Sequence, residues 1–176
     1  MGAYMSLRTI MIFPEFSNID IINEIRNTYD PLAHLVRPHI TLVFPFEHPM
    51  SNSNLAEILE KHLGTIKPFG LQLQGISKSE DPFGNYLFLN VKKGKEQLYN
   101  LLQIFYVNEF REFDMRLLYT PHMTIGKLNS VSLLNDAYAK LQSMNEIFET
   151  TVNKISVEMI GANEESIIIM EKYLHE

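Results

Sequence analysis

Cysteine is absent from all 176 residues. Its absence excludes disulfide frameworks, thiolate nucleophiles and cysteine-ligated zinc or iron–sulfur sites, and it fits a reducing compartment, so a cytoplasmic location is expected. No run approaches the roughly 18 consecutive apolar residues of a membrane-spanning helix. The amino-terminal MGAYMSLRTIMIFPEF has one Arg before a short apolar stretch that ends at Pro14. With no small-residue cleavage pattern, it reads as a strand rather than a signal segment. Excess positive charge is missing too, since the net charge is -6. That argues against tight non-specific binding to long nucleic acid, which needs a basic surface to displace phosphate counterions, and leaves room for a short RNA end in a local pocket. With 45% hydrophobic and 20% charged residues, the composition is that of a globular protein and not of a disordered one. The length suits one domain over residues 1–176, or two small lobes sharing a core, folding without a cofactor and expected to be monomeric.

What the chain does contain is a sentence written twice. Arg37-Pro38-His39-Ile40-Thr41-Leu42-Val43-Phe44 returns 83 residues later as Thr120-Pro121-His122-Met123-Thr124-Ile125-Gly126-Lys127. The surroundings repeat as well. Leu7 to Phe13 reads as a strand stopped by Pro14, and Ile19 to Thr28 as a helix with Ile22, Ile25 and Tyr29 on one face behind Asn18. After the first motif strand, Ser53 to Leu63 forms a helix closed by Gly64. Phe69 to Ser77 then alternates as a strand, and the turn residues 81–85 return the chain into Tyr86 to Val91. The second half continues with a long helix from Lys95 to Phe113, the second motif strand, and a helix from Ser132 to Ser143. Phe69 precedes Ile76-Ser77 as Phe148 precedes Ile155-Ser156, and Ser166 to Met170 returns as Tyr86 to Val91 does. The pattern predicts an α+β fold: a duplicated unit giving two similar lobes about a pseudo-twofold axis, each with a largely antiparallel sheet, helices outside and a cleft between.

Strand alternation puts His39 and Thr41 on one face, with Ile40, Leu42 and Phe44 on the other. His122 and Thr124 oppose Met123 and Ile125 in the same way. If the lobes pack about a twofold, both His-Thr pairs meet in the cleft. An imidazole titrates near neutrality, so one ring serves as base while its twin serves as acid, and a threonine hydroxyl can hold a phosphate oxygen. A histidine metal site is the weaker reading, because neither motif contains a carboxylate and nothing resembles His-Glu-x-x-His.

His39-Ile40-Thr41-Leu42 and His122-Met123-Thr124-Ile125 resemble the paired signature of the two-histidine (2H) phosphoesterase superfamily, which includes 2'-5' RNA ligases and RNA 2',3'-cyclic phosphodiesterases. The resemblance covers nearly the whole chain through motif order and repeat layout. It implies a bilobal fold and a metal-free cleft, with His39 and His122 catalytic and Thr41 and Thr124 holding the substrate. The expected partner is a nucleotide or a short RNA end, not a membrane. The expected reaction is hydrolysis of a nucleoside 2',3'-cyclic phosphate to the 2'-phosphate, with 2'-5' ligation as a candidate reverse activity. The alternative is a catalytically idle RNA-end or nucleotide-binding module.

Other positions carry weaker expectations. Arg37 shares the face of His39 unless Pro38 disrupts the strand, which makes it a phosphate candidate. Strict alternation turns Lys127 to the face opposite His122, as a solvated lysine; a bulge at Gly126 would reverse it. Tyr119, Phe13 and Phe46 are candidates for stacking on a base or for the core. His34, His48, His62 and His175 lie outside any site.

Overall fold

The computed structural model describes residues 6–114 and 119–175. The first five residues of the amino-terminal stretch therefore lie outside it. In chain order the elements are β1 (Arg8–Ile12), α1 (Ile19–Tyr29), β2 (Ile40–Phe46), α2 (Asn52–Leu63), β3 (Phe69–Asp81) and β4 (Gly84–Lys93). Next come α3 (Lys95–Val107), a short 3-10 turn (Arg111–Phe113), β5 (His122–Leu128), α4 (Val131–Leu141), β6 (Phe148–Val152), β7 (Lys154–Ile160) and β8 (Ser166–Tyr173). The two shorter helices with serine starts are capped as their sequences require: Ser51 Oγ accepts from the Asn54 amide and Ser130 Oγ from the Leu133 amide, satisfying donors that the first turn leaves orphaned.

One helix is shorter than its periodicity predicts. The run from Lys95 leaves helical geometry at Asn108 (φ −105°, ψ −114°), where the Asn108 side-chain amide donates to the Ile104 carbonyl. A side chain that satisfies a carbonyl near the end competes with continuing the helix. The Phe110 amide reaches back to Phe105 O, and Phe110 is then fully buried against Phe46 and Phe105.

The strands form two four-stranded antiparallel sheets, β2-β1-β7-β8 and β5-β4-β3-β6. The two antiparallel sheets are as the duplicated pattern predicts, and each takes strands from both halves of the sequence, so the repeats exchange strands between the lobes. The first repeat places β1 and β2 in one sheet and sends β3 to the other. The second places β4 and β5 in that other sheet and sends β7 back. The exchange is sealed where β3 meets β6: Phe69 pairs with Val152 and Leu73 with Phe148. These are the residues that correspond between the repeats, so the pairing is what a twofold axis through Leu71 and Thr150 generates. β8 takes an outer edge, whereas β4 lies inside its sheet, which limits the likeness between the two returning strands. The helices cross over as well: α1, from between β1 and β2, packs on β5, and α3, from between β4 and β5, packs on β2.

At the α1–β5 contact, a Cβ on Gly126 would lie 3.0 Å from Tyr29 Cβ and 3.2 Å from Leu87, so the helix approaches the strand closely there. The core is continuous through both lobes and includes Ile22, Ile40, Leu42, Leu55, Leu89, Met123 and Ile125, all fully buried. Each such side chain contributes about 1.5 to 3 kcal/mol relative to exposure.

A single buried cation organises the connection from α1 to the first motif. Arg26 is 1% exposed. Its Nε donates to Asp30 Oδ2 at 2.8 Å, its two terminal nitrogens donate to the carbonyls of Val36 and Leu32, and Asp30 Oδ1 accepts the Leu32 amide. The planar fork thus clamps the loop that delivers Arg37, Pro38 and His39. Replacing Arg26 with Ala strands the Asp30 carboxylate and two carbonyls, and should destabilise the fold by about 3 to 5 kcal/mol, with Arg26→Lys in between. Urea denaturation checks this. A loss below about 1 kcal/mol for Arg26→Ala would contradict the clamp.

Candidate active site

Each motif histidine comes directly after a proline, and the geometry gives this pairing a reason. A residue before proline is held extended, and in both copies its carbonyl turns toward the ring two residues on. His39 Nδ1 lies 2.8 Å from Arg37 O and His122 Nδ1 lies 2.7 Å from Thr120 O. A carbonyl only accepts, so each Nδ1 carries a hydrogen and the exchangeable position is Nε2. Neither Nε2 has a hydrogen-bond partner among the described residues.

His39 sits just ahead of β2, which begins at Ile40, and Thr41 comes next on the same face, opposite Met11 of β1. His122 opens β5 and stands opposite Asn90, while Thr124 stands opposite Phe88. A cleft of about 850 Å³ has His122 and Thr124 on one wall with Phe88 and Asn90, and Phe44 of β2 on the other. His39 and Thr41 are not part of that lining. Tyr119, which does line it, reaches toward the first motif, its hydroxyl donating to Thr41 O at 2.8 Å and its ring 5.2 Å from His122. The two motifs are thus joined by a side chain as well as by packing of the lobes.

Both copies carry the same irregularity one residue past the threonine. Ile10 pairs with Val43 and Met11 with Thr41, so Leu42 is extra; Leu87 pairs with Gly126 and Phe88 with Thr124, so Ile125 is extra. These bulges reset the alternation. In β5 the consequence is that Lys127 pairs with Tyr86, on the face that carries Thr124 and Phe88. The solvated lysine expected on the opposite face is therefore corrected: Lys127 is exposed, but on the histidine side, its Nζ 5.6 Å from the Tyr86 ring centroid.

Phe88 stacks on His122 with centroids 3.5 Å apart at 22°. Phe13 meets His39 edge-on at 6.1 Å and carries the Arg37 guanidinium 4.5 Å above its ring. Arg37 lies in the loop before β2 and is exposed. Phe46 is a core residue, 1% exposed, and is removed from the stacking candidates. His62 Nε2 donates to Glu109 Oε2 at 2.6 Å, and His48 Nδ1 accepts the Met50 amide, so both have structural partners elsewhere. Phe88, Asn90 and Ser77, whose hydroxyl donates to Asn90 Oδ1 at 2.7 Å, escaped notice in the sequence. The alternation of Tyr86, Phe88 and Asn90 marked a strand face, but only the register brings it beside His122. Among the described residues, no group of three or more His, Asp or Glu side chains is arranged to hold a metal ion, and no helix is long and apolar enough to cross a membrane.

Loss of solvation lowers both imidazole pKa values from the ordinary 6.5, and His122 falls to about 4. The positive charge of His39 lowers His122 further, while the Thr120 carbonyl and the charge of Asp81 act in the other direction. Arg26 lowers His39, and the Arg37 carbonyl and Asp30 raise it.

The sequence profile of the 2'-5' RNA ligase superfamily matches residues 13–161. A Bacillus cytotoxicus protein, provisionally named a phosphoesterase, is 30% identical over 151 residues, covering 82% of this chain and 83% of its own. A Bacillus anthracis protein with the same provisional name is 32% identical over 152 residues at the same coverage. Among solved structures, Escherichia coli LigT complexed with 3'-AMP superposes with a TM-score of 0.66 at 13% identity, over 98% of this chain and 99% of that one. Usb1 of Kluyveromyces marxianus gives 0.54 at 12% identity, over 94% and 98%. These two likenesses establish the fold.

The depressed pKa values carry a stability consequence. The unfolded chain binds more protons than the folded one between the ordinary value and the folded one, so this contribution is whole above about pH 6.5 and is lost as pH falls toward 4. His122→Gln should flatten that loss in denaturation curves taken across the window. Identical pH dependence for the two proteins would contradict the burial of the ring.

Proposed function

The chain belongs to the 2'-5' RNA ligase superfamily, and from that premise we propose that it is a phosphoesterase opening the 2',3'-cyclic phosphate of a nucleotide or a short RNA end. The observation that carries the reading is the matched pair of imidazoles, each with Nδ1 committed to its own backbone and Nε2 free among the described residues. That pair can supply a base and an acid on opposite sides of one phosphorus. The 3'-AMP complex of Escherichia coli LigT supports a nucleotide phosphate as the group the cleft receives.

In the proposed reaction, His122 Nε2 takes a proton from water as the water oxygen bonds to phosphorus. The P–O3' bond breaks in line, and His39 Nε2–H gives its proton to O3', leaving a 2'-phosphate and a free 3'-hydroxyl. The low pKa of His122 supports the base role, because it keeps that ring neutral. Thr41 and Thr124 are assigned the non-bridging oxygens. A ribose 5'-hydroxyl in place of water would give a 2'-5' linkage by the same two transfers. Nothing in this scheme calls on a Lewis acid, so turnover should survive EDTA; loss in EDTA with recovery on adding a divalent cation would overturn it.

His39→Ala and His122→Ala should each lower kcat by about 10² to 10⁴, and Thr41→Ala or Thr124→Ala should cost about 1 to 3 kcal/mol in transition-state binding. Wild-type turnover by either histidine variant on a cyclic nucleotide would end the paired assignment.

The lowered pKa values set the pH profile. With both rings depressed in the empty cleft, the bell of kcat/KM should peak on the acid side of about 6.5, its limbs belonging to the coupled pair. The bound phosphate anion favours the imidazolium, so the kcat profile should lie to the alkaline side of it. A single limb, or a kcat/KM maximum above about pH 7.5, would contradict the scheme. Phosphorus NMR of the product tests the leaving group, since a 3'-phosphate would reverse the O3' assignment.

A further inference from the structure

A row of rings leads away from the candidate site toward the β3–β4 hairpin. His122 stacks on Phe88, and Phe88 stacks on Tyr86 with centroids 5.7 Å apart at 19°. Beyond Tyr86, at the tip of the hairpin, Phe83 is 57% exposed and lines the same cleft. Lys127, turned to this face by the bulge at Ile125, lies beside Tyr86 and makes no ion pair among the described residues. Gly84 leaves the space both side chains use: a Cβ there would stand 2.8 Å from Lys127 Cε and 3.0 Å from Tyr86 Cζ.

We propose that Phe83, Tyr86 and Lys127 form a subsite for the second nucleotide of a single-stranded RNA 3' end, the base stacking on the two rings and the internal phosphodiester meeting Lys127. This rests on the phosphoesterase reading and deepens it, naming oligonucleotide ends rather than cyclic mononucleotides as the preferred substrates. Four features point the same way. The cleft, about 850 Å³, is near the upper end of the roughly 300 to 1,000 Å³ of small-molecule sites, which leaves room beyond one nucleotide. Rings spaced along a groove with an unpaired cation are the elements that hold single strands, and stacking tolerates any base. Two carboxylates, Glu80 and Asp81, line this part of the cleft, and Asp81 Oδ1 is held by the amides of Phe83 and Gly84 in the turn; neither pairs with Lys127 among the described residues, which leaves its ammonium open to an incoming phosphate. Finally, an exposed phenylalanine at a hairpin tip has no packing reason to be aromatic.

The test compares uridine 2',3'-cyclic phosphate with a uridine trinucleotide ending in the same cyclic phosphate. Wild-type kcat/KM should favour the trinucleotide by about tenfold or more. Phe83→Ala should lower that ratio roughly 5- to 100-fold, the usual worth of one stacked base. Lys127→Ala should lower it too, and should reduce the salt slope of trinucleotide binding by about 0.7, the share of one phosphate contact on a single strand. The ratio is insensitive to a partly unfolded preparation, since misfolding scales both substrates alike. Equal kcat/KM for the two substrates, or an unchanged ratio in both variants, overturns the subsite. If neither cyclic phosphate is opened, the phosphoesterase reading fails by itself. Calorimetry with uridine 3'-monophosphate and the 3'-phosphorylated trinucleotide then decides the subsite: tighter trinucleotide binding that Lys127→Ala abolishes supports it, and equal affinity overturns it.

Discussion

The antiparallel pairing of β3 with β6 is the constraint on which the rest of the molecule depends. Phe69 against Val152 and Leu73 against Phe148 join the ends of the two repeats to each other, and each chain segment then continues into the sheet of the opposite repeat. Because β7 reaches β1 only by this route, the sheet that holds the first motif exists only when both halves of the chain are present. The reciprocal packing of α1 on β5 and α3 on β2 has the same effect. The interior is consequently one core, in which neither half can bury its apolar faces alone.

Within that frame the chemistry is arranged by short-range devices used twice. A residue held extended before proline lends its carbonyl to the imidazole two positions on, which sets the tautomer. A bulge one residue past each threonine brings two successive residues into the core, Leu42-Val43 and Ile125-Gly126, and turns the next residue back to the histidine face. Where the copies diverge, the roles diverge: the position after the bulge is Phe44 in one strand and Lys127 in the other. The first is an apolar wall, edge-on to Tyr119 at 5.2 Å; the second is a cation on the rim.

The electrostatics show the same near-symmetry with a bias. Both rings lose solvent and both are pushed toward the neutral form. His39, however, lies within reach of the Arg26–Asp30 pair, and His122 within reach of Asp81 and of His39 itself. Two chemically identical groups are thereby placed in different surroundings, which is the condition for giving them different duties. A clamp made for the stability of the α1–β2 loop also sits in the field of one of the two imidazoles.

The repeated Pro-His-x-Thr sentence and the period-two pattern around it were enough to determine the α+β class, most of the helices and strands, and the two His-Thr pairs as the residues worth watching. Those are properties of local sequence: alternation sets which side chains share a face, and serine caps and glycines set where helices begin and end. Tertiary structure alone decided that each sheet draws on both repeats, because strand partnership is a long-range choice that similar strands leave open. It also decided that α3 stops at Asn108, where a side-chain hydrogen bond and the burial of Phe110 outweigh an unbroken helical pattern. The bulges were equally hidden, since an extra residue is visible only against a partner strand, and with them the true facing of Lys127 and the placing of Phe88 and Asn90 beside His122. A strand's pattern says which residues travel together; only its neighbours say what they face.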